Sequence, residues 1–394
     1  MSEENGLPLS GIKIIEFTHM VMGPTVGVVL ADLGADVVKV EPIGGDNTRR
    51  LVGSGAGYFP MYNRNKKSIV INLKSKEGLQ IAYKLIANAD VMIENFRPGA
   101  MKKLGLDYDQ VKILNDRLIY CSEKGFLGGP YEQRTALDEV AQMMGGLAYM
   151  TGEPGKPTRA GASVIDVMGG LFGVVGILAA LKQREITGLG QRVQSSLYES
   201  TVYLMGQHMA QYSVTGEAAA PMPVRISAWA IYQVFDTKDN QQVFVGVVSD
   251  TQWIKFCENF GLNELGCNLD FATNTERVHK KEELIPIVQE IFLKYKKQEL
   301  MEKLEQIGLP FAPITEPIEL FNDPHLNASS GLIDLNIPGG GKTRLPALPI
   351  EMDGHKMGLR HDLPEIGEQT ESILGENGFT ISEIEKFKAG GIIG

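Results

Sequence analysis

Cysteine is scarce in this sequence. Among 394 residues there are three cysteines, and Cys121, Cys257 and Cys267 show no paired spacing. Neither a disulfide framework nor a zinc site is expected from so few scattered thiols. The pattern is typical of a protein kept in a reducing compartment, so we predict a cytoplasmic location and no metal.

Positive charge is also in short supply. Lys and Arg number 38 against 48 Asp and Glu, which gives a formal net charge of -10. A nucleic-acid partner is not expected, because phosphate backbones are bound by broad basic surfaces. A phosphate-bearing small molecule can still bind a local basic cluster.

Signals for membrane insertion are weak. The chain starts with acidic and polar residues, so no targeting segment is predicted. One uncharged apolar stretch, Val167 to Leu181, has about 15 residues, fewer than the roughly 20 that a bilayer core requires. With 43% hydrophobic and 22% charged residues, the composition is that of an ordinary globular protein, and we predict a buried helix with no membrane partner.

Short apolar runs alternate with helical segments in the first third of the chain. The predicted strands are Ile12 to Phe17, Ala35 to Val40, Ser68 to Ile71, Val91 to Ile93 and Leu118 to Cys121, and the predicted helices are Pro24 to Leu33, Gly78 to Ala87 and Tyr108 to Leu114. Alternation of this kind predicts an α/β fold with a large, doubly wound, Rossmann-like parallel sheet.

The opening strand, helix and strand also suggest a nicotinamide-binding unit. The glycines argue against it, because residues 18–24 lack the G-x-G-x-x-G pattern, and Gly53-Ser-Gly-Ala-Gly57 follows no predicted strand. We therefore do not expect a dinucleotide cofactor.

The character of the chain changes after about residue 215. Ala230 to Phe235 and Gln242 to Val248 read as a hairpin, followed by amphipathic helices. From Leu309 to Leu348 the chain is rich in proline and glycine and shows little periodicity, as expected of a long connection. These features predict a smaller α/β domain over 216–329, inserted into a large domain built from 1–215 and 330–394.

Several blocks together resemble the class III CoA-transferases, the family of formyl-CoA transferase and the carnitine CoA-transferases. The blocks are Phe17-Thr-His19 with Gly23-Pro24; Ala31-Asp-Leu-Gly-Ala-Asp-Val-Val-Lys-Val-Glu41; Gly45-Asp-x-x-Arg49; Asn63-Arg-Asn-Lys-Lys-Ser68; Glu94-Asn-Phe-Arg-Pro-Gly99; and Ala160-Gly-Ala-Ser-Val-Ile-Asp-Val-Met-Gly-Gly170. The likeness covers nearly the whole chain, and the order and spacing of the blocks carry it.

The resemblance implies an enzyme that moves CoA between carboxylic acids through an aspartyl-CoA thioester. Asp166 stands where the family's nucleophile stands, and acyl-CoA and a carboxylate are the implied substrates, with no permanently bound cofactor. The resemblance also implies homodimers whose ring-shaped subunits are interlocked.

The resemblance further implies the residues that contact CoA. They are His19, Val21, Met22, Asn72, Leu73, Lys74, Asn95, Phe96, Arg97, Lys103 and Asp138. Lys74, Arg97 and Lys103 are the basic candidates for the phosphates of CoA, while His19 is expected to be hydrogen-bonded scaffold. Asp138 is expected to shape the site, or else to be a buried partner or loop anchor.

Taken without the resemblance, the local sequence around Asp166 supports a simpler role. An aspartate just before an apolar helix is commonly a helix cap, and the helix dipole there favours its negative charge. Gly169, Gly170, Gly173 and Gly176 leave one face of the predicted helix bare, which indicates tight helix packing or close approach of a ligand.

Departures from formyl-CoA transferase bear on the substrate. Pro42 replaces a basic residue near the adenine, and Leu137 replaces an active-site tyrosine. Small dicarboxylates are the expected acceptors by family analogy, and Arg225, Trp229 and Tyr232 either bind the acceptor or pack the small domain.

Two other functions remain open on the sequence. The acyl-CoA racemases share the fold but use a histidine where this chain has Leu137, and leucine cannot take a proton. A non-catalytic CoA-binding protein is the second alternative, and retention of Asp166 argues against it.

Overall fold

The computed structural model describes residues 6–394 and divides into two units. The first runs to Pro223 and continues through Pro324–Gly394, and the second is Val224–Asp323. The predicted boundaries at 215 and 330 lie a few residues from these. The first unit is thus assembled from both ends of the chain.

A six-stranded sheet lies at the centre of the first unit. Its strands are β1 (Lys13–Phe17), β2 (Asp36–Glu41), β3 (Lys66–Val70), β4 (Val91–Glu94), β5 (Ile119–Lys124) and β6 (Arg192–Ser196). They are all parallel, in the order β3-β2-β1-β4-β5-β6. The parallel sheet predicted from the apolar runs is confirmed, and β6, whose sequence Arg-Val-Gln-Ser-Ser is polar, is the strand that the prediction missed.

Helices cover both faces of this sheet. Those before the second unit are α1 (Met22–Asp32), α2 (Tyr58–Tyr62), α3 (Lys76–Ala87), α4 (Ala100–Leu104), α5 (Tyr108–Leu114), α6 (Asp138–Met144), α7 (Leu147–Thr151), α8 (Val164–Thr187) and α9 (Leu197–Thr215). Val26 of α1 and Ile177 of α8 are buried against one face, and Ile81 of α3 and Val111 of α5 against the other. The central strands are covered on both sides, which is why they read as continuous apolar runs.

The second unit has its own core around a three-stranded antiparallel sheet. Its elements are β7 (Ile231–Asp236), β8 (Gln242–Val247), α10 (Asp250–Phe260), α11 (Asn263–Gly266), α12 (Asn274–His279), α13 (Lys281–Phe292), α14 (Lys297–Ile307) and β9 (Phe311–Pro313). Trp253 and Phe256 of α10 pack against Phe292 of α13. The alternating apolar residues of β7 and β8 form the predicted hairpin.

The chain then returns to the first unit. This segment contains α15 (Pro324–Ala328), β10 (Leu332–Asn336), β11 (Lys342–Pro346), β12 (Glu351–Met352), β13 (His355–Lys356), α16 (Thr370–Glu376) and α17 (Ile381–Ala389). The prediction of an irregular connection from Leu309 to Leu348 is wrong, because β9 pairs with β8 and β10 pairs with β11. The glycine-rich residues 339–341 form the turn of that second hairpin.

The length predicted for the apolar helix is also wrong. α8 has 24 residues and is long and apolar enough to cross a membrane by length and composition. Core helices of globular proteins pass the same test, and α8 buries its glycine-rich face within the first unit. The prediction fell short because Arg184 and its neighbours, which are charged, continue the helix beyond the apolar stretch.

Candidate active site

The candidate site lies at the carboxyl edge of the parallel sheet, where β1 and β4 are neighbours. The chain proceeds from β1 toward β3 on one side and from β4 toward β6 on the other. The loops that follow β1 and β4 therefore diverge and leave a crevice, which is where open α/β sheets bind ligands. Residues 18–21 and 95–99 form these two loops.

Asn95 joins the two loops. Its side-chain Oδ1 accepts the backbone N–H of His19 at 3.0 Å, and its Nδ2 donates to the carbonyl of His19 at 2.9 Å. The ring of His19 stacks on Phe96 with centroids 5.7 Å apart. Burial is the main cause that lowers the pKa of His19, so the ring is neutral near pH 7 and is held as scaffold.

A buried ion network supports the loop after β1. The Nζ of Lys39 donates to the carbonyl of Thr18 at 2.7 Å and lies 3.1 Å from Oδ2 of Asp46. Thr48 accepts the backbone N–H of Met20 at 3.0 Å. Two of these supports, Lys39 and Asp46, lie in blocks that carry the family resemblance, but the sequence did not reveal their role.

Two cavities meet at His19 and Phe96. The first, of about 670 Å³, runs over the ends of β1 to β3, and the second, of about 350 Å³, contains Asp166. The first cavity is lined by the predicted residues His19, Asn72, Leu73, Lys74 and Phe96. The second is lined by His19, Val21, Met22, Asn95, Phe96, Arg97, Asp138 and Asp166.

Lys103 does not join the other predicted residues. It lies on α4, is exposed, and lines neither of the two cavities. Lys103 belongs to α4, which begins after the loop of residues 95–99 has ended, so it lies farther along the chain than Asn95 and Arg97.

Asp166 is the third residue of α8 rather than its cap. Ser163 occupies the N-cap position and makes no side-chain cap hydrogen bond. The cap is supplied by Asp138, whose Oδ2 accepts the backbone N–H of Ile165 at 2.9 Å and of Asp166 at 3.1 Å. The simple helix-cap interpretation of Asp166 is therefore wrong, and its side chain is left free to face the cavity.

The charge of Asp166 is disfavoured, contrary to the expectation from the helix dipole. Burial is the largest of the effects that together raise the pKa of Asp166 to about 7; the charges of Asp138 and Glu139 act in the same direction, and Arg159 opposes them. Desolvation and two like charges thus outweigh a dipole effect of roughly 0.3–1 kcal/mol. A carboxyl group that titrates near neutral pH in a cavity is a candidate for chemistry.

Asp138 is itself held on several sides. It is 4% exposed, its Oδ1 accepts a hydrogen bond from Gln142 and lies 3.5 Å from the guanidinium of Arg159. Gln142 in turn accepts the backbone N–H of Ala160 at 2.8 Å. Asp138 therefore anchors the segment that leads into α8, which agrees with the loop-anchor interpretation.

The glycine face of α8 serves close packing. A Cβ on Gly170 would lie 2.7 Å from the carbonyl oxygen of Met22, and one on Gly176 would lie 2.5 Å from Val193. A Cβ on Gly169 would meet the end of Met22 at 2.5 Å. The glycines let α8 approach α1 and β6, and this approach brings Asp166 beside the loop after β1.

Four residues near Asp166 were missed by the sequence analysis. Tyr58, Glu123 and Arg134 line its cavity, and burial followed by the charge of Asp166 raises the pKa of Tyr62 to about 12. Burial also raises the pKa of Glu123 to about 8. The only signal for Glu123 is a charged residue shortly after the apolar run that predicts β5.

The residues of the second unit that were considered for acceptor binding include an aromatic pair. The rings of Trp229 and Tyr232 have centroids 4.9 Å apart. Lys281 lies close enough to Arg225 for that charge to lower its pKa, after the larger effect of burial.

Among the residues that the structure describes, no group of three or more His, Cys, Asp or Glu side chains could hold a metal ion.

Comparison with known proteins identifies a family. The model of CoA-transferase family III matches residues 9–370. An acyl-CoA transferase of Fusarium pseudograminearum is 37% identical over 98% of this chain and 88% of its own. A succinate–glutarate CoA-transferase of Agrobacterium fabrum is 35% identical over 94% of this chain and 95% of its own.

A solved structure agrees with these sequence matches. The crystal structure of a CaiB/BaiF family protein from Brucella suis superposes with a TM-score of 0.82 at 34% identity and covers 94% of this chain and 99% of its own. The match therefore extends over both units.

Proposed function

Because the chain belongs to CoA-transferase family III and is an enzyme of that class, we propose that it transfers CoA from an acyl-CoA to a small dicarboxylate, with Asp166 as the nucleophile. The observation that carries the proposal is the side chain of Asp166, which faces a cavity beside the loops after β1 and β4. The named relative from Agrobacterium fabrum acts on succinate and glutarate, which supports dicarboxylates.

The proposed reaction begins with attack of the Asp166 carboxylate on the thioester carbonyl. The carbon–sulfur bond breaks, which gives a mixed anhydride and the CoA thiolate. The thiolate then attacks the aspartyl carbonyl, releases the donor acid as its carboxylate, and leaves CoA bound to Asp166 as a thioester. The acceptor carboxylate repeats these steps in reverse and regenerates Asp166, so that no net proton transfer and no ATP are needed.

CoA is proposed to lie along the larger cavity. Its mostly apolar walls suit the pantetheine chain, and Asn72, Leu73 and Lys74, which follow β3, line it together with His19. Lys74 in the larger cavity and Arg97 in the smaller one are the cations proposed to bind the phosphates. The stacked pair of His19 and Phe96 lies where the thioester end must pass toward Asp166.

We also propose that the protein works as a homodimer, interlocked as in its family. Leu171, Val175 and Leu178 follow one another along α8 and are exposed, and Tyr203 of α9 is 72% exposed. Phe172 packs edge-on against Tyr203 at 5.3 Å. Such a contiguous apolar surface is typical of an interface, and a second copy of the chain would cover it.

The proposed function is tested by mixing the protein with succinyl-CoA and a panel of carboxylic acids and separating the CoA esters. We expect glutarate and similar dicarboxylates to become CoA esters, and the D166N variant to form none. A wild-type protein that exchanges deuterium at the acyl α-carbon without any CoA transfer would instead be a racemase.

A further inference from the structure

The cations around Asp166 differ in whether they already have a partner. The Nζ of Lys124 lies 3.1 Å from Glu94, and Arg159 pairs with Glu139 and Asp138. Arg97 and Arg134 both line the cavity. Their guanidinium groups make no ion pair or hydrogen bond with the residues between 6 and 394.

Arg97 and Arg134 reach the cavity from different sides. Arg97 follows Asn95 and Phe96 in the loop after β4, beside the proposed path of CoA. Arg134 comes from the segment between β5 and α6, which also carries Leu137 into the cavity wall. Arg97 thus lies beside the proposed path of CoA, whereas Arg134 lies on a different segment and is available to another ligand.

Aromatic rings support the guanidinium of Arg134. Its Cζ lies 5.0 Å from the ring centroid of Tyr131 and 5.8 Å from that of Phe126. Phe126 is buried and packs against Tyr131 and Tyr198 with centroids 5.7 Å and 5.4 Å away. A guanidinium that lies over aromatic rings keeps its N–H groups available for a planar carboxylate.

A dicarboxylic acyl group requires a cation of this kind to pair with its second carboxylate. One of its carboxyl groups reacts with CoA or Asp166, and the other stays ionised and is costly to desolvate unless it is paired. Glu123 adds little repulsion, because burial raises its pKa to about 8 and the group is mostly neutral at pH 7.

We propose that Arg134 binds the distal carboxylate of the dicarboxylic acyl group and so determines the preference for dicarboxylates. This inference rests on the proposed function of the Asp166 cavity. It places recognition of the distal charge in the first unit, in contrast to the sequence-based alternative of Arg225.

The test compares two acceptors of equal length with succinyl-CoA as the donor. Glutarate carries the second carboxylate and pentanoate does not. The kcat/KM of each acceptor is measured for the wild type and for R134Q, R134K, R225Q and K156Q. Lys156 is a matched control because it is an exposed cation of the same unit, paired with Glu153.

We expect R134Q to lower kcat/KM for glutarate by about tenfold or more, since it removes one partner of a charge pair. Pentanoate should change by no more than about twofold. R134K, which keeps the charge but loses the fork of N–H groups, should restore part of the preference. K156Q and R225Q should behave as the wild type.

The inference is overturned if R134Q leaves the ratio of the two acceptors unchanged, or if R225Q changes it instead. R134K keeps the test decisive should R134Q fold poorly, because the same ratio is measured on a cationic variant. Failure of the proposed function is recognised separately: the wild type would then transfer no CoA to any acceptor.

Discussion

The carboxylate of Asp138 accepts the backbone N–H of Asp166 at 3.1 Å. This contact joins residues 28 positions apart and caps α8 from outside the helix. It fixes the backbone of Asp166 while the Asp138 charge raises the pKa of the Asp166 carboxyl. One residue thereby positions the proposed nucleophile and also influences its ionisation.

Replacing Asp138 should separate these two effects. D138A removes the acceptor for two backbone N–H groups, and we expect it to lower the free energy of unfolding by about 1 kcal/mol, as for loss of a helix cap. D138N keeps one oxygen for these N–H groups and should lose less. Urea unfolding of both variants checks the difference, and equal losses would argue against the cap.

The reaction should depend on pH through Asp166. The pKa of Asp166 is about 7 and only the carboxylate is nucleophilic, so kcat/KM should fall as the pH drops below about 7 and level off above it. In D138N a negative charge that raises this pKa is gone, so the acid limb should move to lower pH. If kcat/KM of the wild type stayed flat between about pH 5 and pH 8, a range that brackets this pKa, Asp166 would not be the nucleophile.

The raised pKa of Asp166 also predicts a cost in stability. The pKa of this carboxyl rises from 3.8 to about 7 on folding. Between these two pH values the group is mostly neutral in the folded state and mostly ionised in the unfolded state. Stability is therefore lost as the pH rises from the unfolded value through about 7. We expect D166N to gain in melting temperature relative to the wild type over this range, and the difference to stay constant above it.

Asn95 should matter for CoA binding more than for chemistry. Its two hydrogen bonds to the backbone of His19 join the loops on either side of the crevice. N95A should raise the KM for acyl-CoA with a smaller effect on kcat. N259A is the matched control, because Asn259 is exposed and bonds the Lys255 carbonyl within its own helix, and it should leave both constants unchanged.

The exposed surface of α8 and α9 should be the dimer interface. V175R introduces a charge at a side chain that is 60% exposed, and we expect sedimentation to show a smaller species than the wild type. I113R is the control, since Ile113 on α5 is also an exposed apolar residue. An unchanged species for V175R would contradict the proposed interface.

The sequence predicted the fold well where the signal is local. Apolar runs such as that of β5, covered on both faces, are visible in the chain itself. β6 was missed because Arg192 and Gln194 are exposed and only its last residues are buried. β9 was missed because three residues that pair with β8 carry no periodicity.

The site was predictable only in part. Asp166 and the residues of the loops after β1 and β4 were found through resemblance and through their place at strand ends. The capping by Asp138, the support of the loop by Lys39 and the aromatic cluster under Arg134 depend on contacts between distant segments. Spacing along the chain does not encode such contacts, so these roles emerge only in the folded structure.

The role of Asp166 as nucleophile is tested most directly by a search for CoA attached to this residue. The protein is incubated with succinyl-CoA, quenched, digested with trypsin and analysed by mass spectrometry. Residues 160–182 lie between Arg159 and Lys182 and contain Asp166 as their single acidic side chain, so an adduct on this peptide identifies the residue. We expect this peptide to gain the mass of CoA less one water, to lose that mass when glutarate is added, and to stay unmodified in D166N. CoA transfer in solution by a D166N variant, or by a wild type in which this peptide is never modified, would contradict it.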